Sequence, residues 1–354
     1  MNRPSPQAAT GENLKKLQEL VHSGDSLLVL MYGSPDPDAI ASAMALRDLM
    51  QRLKGLAHCT LAATEPFRRH QNRELARAMH LNIRLLNSVD PAAHRHVALV
   101  DAPPSFFRDS PPAVMPSIVF DHHPRRGDWQ APIEDIRPAY GALSTVLTEY
   151  LLCAGLRISR NLHTALLYGI KTDTDNFDRA TLSEDIRAYT YHSRSANMRL
   201  IRRIELNQTP RSYLKYFDHA FHAMKHHRGR RVGFLGVVES PDVCVQVADF
   251  YLRLIDTSYV VVAGIVSDRL VIIFRSDGYR QDCGAMAQGA CGLLGQGGGH
   301  RSAARMEIPL DALKAELKGD LSQQSLDAFL HRCLKKSQPA GQIPDTTSSE
   351  KETS

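Results

Sequence analysis

The stretch SIVFDHHPRRG, residues 117 to 127, runs apolar through Ile118, Val119 and Phe120 and then sets Asp121, His122 and His123 in a row before Pro124. A buried strand that ends on an acid and two histidines places ligating side chains where a sheet meets solvent. Three other segments share the design. LVLMYGSPDPDAIAS closes an apolar run on Asp36 and Asp38, VALVDAPP does so on Asp101, and YGIKTDTDNF brings a helical run to Asp173 and Asp175.

The text around these ends alternates helix and strand. ENLKKLQELVHS and DAIASAMALRDLMQRL have helical spacing, while SLLVLMY, HCTLAA, HVALV and SIVF read as short buried strands. Strands separated by helices pair in parallel through right-handed crossovers, with helices on both faces. The expected fold class is α/β, an N-terminal doubly wound parallel-sheet domain followed by a smaller mixed α/β domain. Such sheets bind ligands beyond the carboxyl ends of their strands, so the acid-bearing ends converge on one edge.

Singly, each acid has an ordinary structural role. Asp38 can cap a helix starting at Ala39, Asp101 can open a turn before Pro103, and Asp173 can cap a helix after Thr172. Together they form a problem in electrostatics, because carboxylates gathered in a dry cleft repel one another and desolvation protonates some of them. A divalent cation removes that cost. Asp36 and Asp38, two apart in extended chain, project to the same side. Small residues Ala39, Ala41, Ser42 and Ala43 bring the following helix close, with its N-terminal amides facing the site.

A chain of 354 residues suits two domains. The expected division is an N-terminal segment and first helix (1–23), the parallel-sheet domain (24–205), a connector helix (206–229), a second domain (230–309), C-terminal helices (310–336) and a disordered tail (337–354). In the second domain, SYVVVAGIVSD and RLVIIFRS are close enough to form an antiparallel hairpin. His219, His222 and His226 read as a basic, solvated helix end. With 43% hydrophobic and 23% charged residues, and no apolar run near the roughly 18 residues of a membrane span, the chain reads as soluble. The N-terminus has neither a secretory nor a transit pattern, so the expected location is cytoplasmic. Six cysteines without a C-x-x-C pair exclude a zinc ribbon or a disulfide framework. The net charge of +5 suits an acidic partner.

The set SPDPDAIAS, VALVDAPP, FDHHP and GIKTDTDNF, followed by FRSDGY and GQGGGHRSAA, resembles the DHH phosphoesterase superfamily over roughly residues 24 to 308. The likeness is to the two-domain, RecJ-like branch that includes bifunctional oligoribonuclease and pAp phosphatases. It implies that Asp36 binds one metal and Asp38 the other, that Asp101 bridges them, and that His122 and Asp173 complete the coordination of the second metal. It further implies that His123 faces the reacting phosphate, making His123 and Asp101 the catalytic pair, while Asp121 orients an imidazole. Oxygen-rich coordination with one imidazole suits Mn²⁺, with Mg²⁺ next and Zn²⁺ third. Two such ions can activate a water and stabilise an in-line displacement at phosphorus.

One position departs from the family. Most relatives carry a metal-binding histidine four residues before the first acid, where this chain has Tyr32. Ionising a phenol of pKa near 10 at pH 7 costs about 4 kcal/mol. Tyr32 is a phenolate ligand, or water replaces the imidazole, or the first metal site is too weak to fill; replacement by water is the favoured reading.

In the second domain, Gly298 and Gly299 precede His300 and Arg301, and glycines allow close approach of a ligand to backbone amides. By resemblance this loop, with Arg275 and Ser276, binds substrate, which lies between the domains. A guanidinium grips a phosphate with paired donors. One Trp and 6% aromatics offer no extended stacking platform for long single strands, and no long duplex is expected as a partner. The expected function is hydrolysis of short oligonucleotides, linear dinucleotides or pAp. The alternatives are a nucleotide-binding sensor with a weakened site, or a pyrophosphate or polyphosphate hydrolase. A homodimer is compatible with the resemblance, although no segment requires one.

Overall fold

The computed structural model describes residues 6–336, apart from 57, 108–113, 126, 128, 180, 207–208, 228, 280 and 292–293. The tail from 337 to 354, expected as disordered, lies outside the described residues. Two compact units divide the chain, Met1–Gln208 and Thr209–Ser354. No helix among the described residues is long and apolar enough to cross a membrane.

The first unit begins with α1 (Pro6–Leu20), β1 (Ser26–Met31), α2 (Pro37–Lys54), β2 (His58–Ala63), α3 (His70–Ala78) and β3 (Ile83–Leu85). It continues with β4 (His96–Val100), β5 (Ile118–Asp121), β6 (Ile133–Ile136), α4 (Leu143–Cys153), α5 (Arg160–Asp173), α6 (Ser183–Ser193) and α7 (Met198–Leu206). All strand pairs are parallel, in the order β3-β2-β1-β4-β5-β6. The chain runs outward from β1 to β3 and restarts beyond β1 at β4, so β1 and β4 border the reversal where ligands bind in sheets of this kind.

Leu27 to Met31 are fully buried, the continuous apolar run of a strand covered on both sides. Leu27, Val29 and Met31 join one core with Leu17 of α1, Leu46 of α2, Leu147 of α4 and Leu166 of α5. The segment before residue 24 is thus packed into the sheet domain's core. Leu28 and Leu30 point the other way, onto Val97, Leu99, Phe107 and Val119. That second face departs from expectation. Among the described residues its cover comes from loops and short 3₁₀ turns such as Leu86–Ser88 and Pro104–Phe107, not from helices. Reversing the direction of strand succession sends the β4-to-β5 link to this face, and Pro103, Pro104 and Pro116 within it oppose a helix.

The second unit contains α8 (Leu214–Ala223), β7 (Lys225–His227), β8 (Arg230–Val237), α9 (Pro241–Leu252), β9 (Tyr259–Val266) and β10 (Arg269–Ser276). After these come α10 (Cys283–Cys291), β11 (Gln296–Gly299), β12 (Ala303–Pro309), α11 (Leu310–Glu316) and α12 (Gln323–Lys336). Its mixed sheet runs β11-β12-β10-β9-β8-β7, with β8 and β9 parallel. β9 and β10 form the expected antiparallel hairpin, turning between Val266 and Arg269. Helix α8 packs Tyr216 and Ala220 against Val243 and Val247 of α9. It ends at Ala223, which puts His226 on β7 and off the helix that carries His219 and His222.

Candidate metal centre

Strand register assembles the site. Met31 pairs with Val100, and Val100 with Phe120, so Tyr32 and Asp101, just past β1 and β4, and Asp121, the last residue of β5, lie side by side. Asp101 turns at once into the left-handed region, with φ 61°, a conformation uncommon outside glycine that Asp tolerates better than most residues. Its N–H donates to the Phe120 carbonyl at 3.0 Å.

SPDPD is the start of a helix and not an extended segment, which corrects the same-side reading of its two acids. Asp36 is the N-cap of α2, its Oδ1 accepting from the Ala39 N–H at 2.9 Å, and Pro37 occupies the first helical position. Proline favours that position because its fixed φ is helical and its missing N–H would find no partner there. Asp38 therefore lies inside the first turn, not at the cap. Its fully buried carboxylate reaches the start of α4, where Oδ2 accepts from Leu143 N–H at 2.7 Å and Oδ1 from Ser144 N–H at 2.8 Å. Helix N-termini favour negative charge. Gly169 lets α5 pass this junction: a Cβ there would fall 2.4 Å from Ser144 Oγ and 3.0 Å from Asp38 Oδ1.

Asp173 is the last residue of α5, not the cap of a following helix. A carboxylate at a helix C-terminus opposes the macrodipole. The Arg179 guanidinium compensates, with Nη1 donating to the Asp173 carbonyl at 2.9 Å and lying 3.7 Å from Oδ1. Asp175, Asn176 and Phe177 then follow with positive φ.

These ends meet at His122. Its Nε2 lies 3.0 Å from Asp173 Oδ2, 3.3 Å from Asp101 Oδ1 and 4.0 Å from Asp38 Oδ2. Its Nδ1 is 3.1 Å from the Tyr140 carbonyl, which only accepts, so Nδ1 carries a hydrogen and the neutral ring turns the Nε2 lone pair toward the carboxylates. Neither Nε2 nor Asp101 Oδ1 makes a well-aligned hydrogen bond, although both are buried. With His122 neutral, lone pairs of four side chains would converge with no hydrogen between them, a conflict that protons or a cation relieve. Two sets, Asp38 with His122 and Asp173, and Asp101 with His122 and His123, each keep their ligating atoms within 4.8 Å of one another. Carboxylate oxygens with imidazole nitrogen fit a hard or borderline divalent ion.

Charge confirms the crowding. Burial, then Asp173, pushes the Asp38 carboxyl up to about 7. Burial and Asp36 hold Asp101 well above the carboxylate range, and burial and Asp173 raise Asp36. Burial works against a charged His122, but Asp101 and Asp173 beside it raise the imidazole to about 12. Without a metal, protons occupy the cluster. Asp36 affects it through charge but belongs to neither close set.

Asp121 orients the second histidine. Its Oδ1 accepts from the His123 N–H at 3.0 Å and from His123 Nδ1 at 2.8 Å. His123 is 52% exposed, whereas His122 is only 10% exposed. Tyr32 packs against Phe106 and Phe107, with ring centroids 4.9 and 5.5 Å away.

In the second unit, QGGG, residues 296 to 299, forms an edge strand rather than an open loop, pairing Gly298 with Arg305 and Gly299 with Ala304. A Cβ on Gly299 would meet Ala303 O at 2.4 Å, while one on Gly298 would meet nothing within 4 Å. Sheet packing therefore demands Gly299, and open space adjoins Gly298. His300 and Arg301 are exposed beyond the strand. Arg275 is ion-paired with Asp249, Nε to Oδ1 at 2.7 Å. Ser276 is buried, its hydroxyl 3.3 Å from Gln281 O and 3.2 Å from Arg301 O, so it ties loops together.

Sequence reasoning did not find the Tyr140 carbonyl, the Leu143 and Ser144 amides, or Arg179. Backbone groups leave no side-chain signature, but a glycine within a helix, Gly169, marks a close approach.

Fold and site together define a two-unit α/β protein with a candidate divalent-metal centre at the switch point of a parallel sheet. No family model matches the chain. It is 32% identical over 292 residues to an uncharacterized protein, MJ1633, of Methanocaldococcus jannaschii, covering 82% of this chain and 59% of that protein. The chain thus spans about three fifths of that relative's length. An exopolyphosphatase-related protein from Bacteroides fragilis shares the fold, with a TM-score of 0.70 at 17% identity over 93% of this chain and 96% of that one. A RecJ exonuclease bound to manganese aligns more loosely, with a TM-score of 0.45 at 14% identity over 91% and 94% of the two chains.

Proposed function

We propose that the chain is a metal-dependent phosphoesterase of the DHH type that hydrolyses short nucleotidic phosphodiesters or phosphomonoesters, such as short oligoribonucleotides, linear dinucleotides or pAp. The observation that carries this reading is the convergence of Asp38, Asp101 and Asp173 within 4.0 Å of His122 Nε2. Asp38, Asp101, His122 and Asp173 would hold the ions, with Asp36 at the rim; two Mn²⁺ are the proposed occupants, and Mg²⁺ the substitute. Such ions supply Lewis-acid polarisation of a phosphoryl oxygen and acidification of water. The Tyr140 carbonyl keeps the His122 tautomer fixed, and the α4 amides keep Asp38 in place. His123, held through Nδ1 by Asp121, offers its other nitrogen to a phosphate oxygen or to the leaving oxygen.

The second unit is assigned substrate binding through Gly298, Gly299, His300 and Arg301. Arg275 takes part only if it leaves Asp249, and Ser276 acts by holding the loop. The test is hydrolysis of labelled dinucleotide, pAp, cyclic dinucleotide and pyrophosphate with Mn²⁺, Mg²⁺ or chelator. Chelator-sensitive cleavage of the short nucleotides is expected. Binding without turnover of any of them contradicts the reading and favours a sensor.

A further inference from the structure

Tyr32 and Phe106 expose aromatic surface beside the centre, at 44% and 39% of their areas. Their ring centroids are 4.9 Å apart at an interplanar angle of 49°, and Phe107, 2% exposed, braces Tyr32 edge-on. The two rings come from different strand ends. Tyr32 directly follows β1, and Phe106 belongs to the 3₁₀ turn Pro104–Phe107 after β4.

Register places this pair next to the metal centre. Because Met31 pairs with Val100, Tyr32 and Asp101 succeed them on strands about 4.8 Å apart. Asp101 Oδ1 is itself 3.3 Å from His122 Nε2. A phosphate held at that cluster would lie within a nucleotide's reach of the rings. Burying aromatic surface is favourable, so a braced but half-open pair at the rim suits a ligand with a flat apolar face. The tilt between the rings makes a wedge: a planar group stacks on one ring and meets the other with its edge.

We infer that Tyr32 and Phe106 form a stacking platform for one nucleobase, so that the site selects phosphoesters bearing a base over sugar phosphates and inorganic phosphates. The inference rests on the phosphoesterase reading and narrows its substrate class. Stacking on an aromatic ring tolerates any base, since each has a π-face. A single platform of two rings also fits one or two nucleotides better than a long strand.

The test measures binding of AMP and of ribose 5-phosphate to the full chain with Mg²⁺, by calorimetry, together with fluorescence of 2-aminopurine riboside 5′-monophosphate. Wild type should bind AMP at least about tenfold more tightly than ribose 5-phosphate and quench 2-aminopurine. Phe106→Ala and Phe106→Leu should bring the ratio to within about twofold and lose the quenching, since Leu fills the volume without a π-face. Tyr32→Phe, which keeps a ring, should retain the preference, and Tyr32→Ala should lower it. Thermal midpoints establish that each variant is folded. Equal binding of the two ligands by wild type, or a wild-type ratio in folded Phe106→Leu, overturns the platform. If phosphoester hydrolysis persists in that case, the phosphoesterase reading stands. If neither ligand binds and no phosphoester is cleaved, both fail.

Discussion

His122 and Asp173 come from the ends of different elements, β5 and α5, yet His122 Nε2 lies 3.0 Å from Asp173 Oδ2 without a well-aligned hydrogen bond. Because the Tyr140 carbonyl takes the hydrogen on Nδ1, the neutral ring faces the carboxylate with a lone pair. The metal-free fold accommodates the cluster by holding extra protons, which a bound cation would replace.

Asp101→Asn removes a carboxylate from the cluster and keeps a residue that tolerates φ 61°. The metal-free variant should therefore gain about 1 kcal/mol, or about 3 °C in thermal midpoint. The further rise that Mn²⁺ gives wild type should vanish. Thermal scans with and without Mn²⁺ read both signs, and a variant less stable than wild type without metal would contradict the repulsion.

Metal binding should tighten with pH. The folded, metal-free centre holds protons on Asp38, pushed up to about 7, and on His122, raised to about 12. Both shifts are upward, so they stabilise the metal-free fold at low pH; the Asp38 contribution is complete below 3.8 and is lost as pH rises through about 7. A cation must displace these protons, and affinity should rise about tenfold per pH unit for each one displaced between about pH 5.5 and 7.5. Calorimetry in buffers of different ionisation enthalpy counts the protons; none released would contradict the assignment.

Gly169→Ala would drive a methyl into Ser144 Oγ at 2.4 Å and toward Asp38 Oδ1 at 3.0 Å. A loss of about 1–3 kcal/mol in stability is expected, together with weaker Mn²⁺ binding, because the junction positions Asp38. Adding Ser144→Ala should restore part of both, measurable by denaturant unfolding and metal titration. Damage to stability with metal affinity intact would separate the glycine from the centre.

Tyr32→His places an imidazole at the strand end beside Asp101. Hydrolysis at limiting Mn²⁺ should rise, with saturation at least about tenfold lower in Mn²⁺. The preference for AMP over ribose 5-phosphate should fall in the same protein. An unchanged Mn²⁺ titration would show that position 32 does not face an ion.

The central strands were legible because their buried runs are continuous; HVALV and SIVF need no periodicity to be seen. The edge strands β3 and β6 were not, since Ile83–Leu85 and Ile133–Ile136 mix charged residues into short segments that one side of a sheet tolerates. Acids at strand ends marked the centre, and His122, Asp101, Asp38 and Asp173 meet there. Their orientation was hidden because it depends on backbone partners at Tyr140, Leu143 and Ser144. Pro37 between two acids looked like extended chain, but it opens α2 and gives the two acids different partners. The glycines of β11 resembled a ligand loop, although Gly299 is required by the strand packed against it.

Calorimetric titration of Mn²⁺ into metal-free protein at about pH 7.5, with wild type and His122→Gln side by side, tests the central claim most directly. Two ions per wild-type chain are predicted, with affinity at least about 100-fold weaker in the variant, since His122 belongs to both ligand sets. Absence of binding to wild type, or binding that His122→Gln leaves unaltered, would contradict the account.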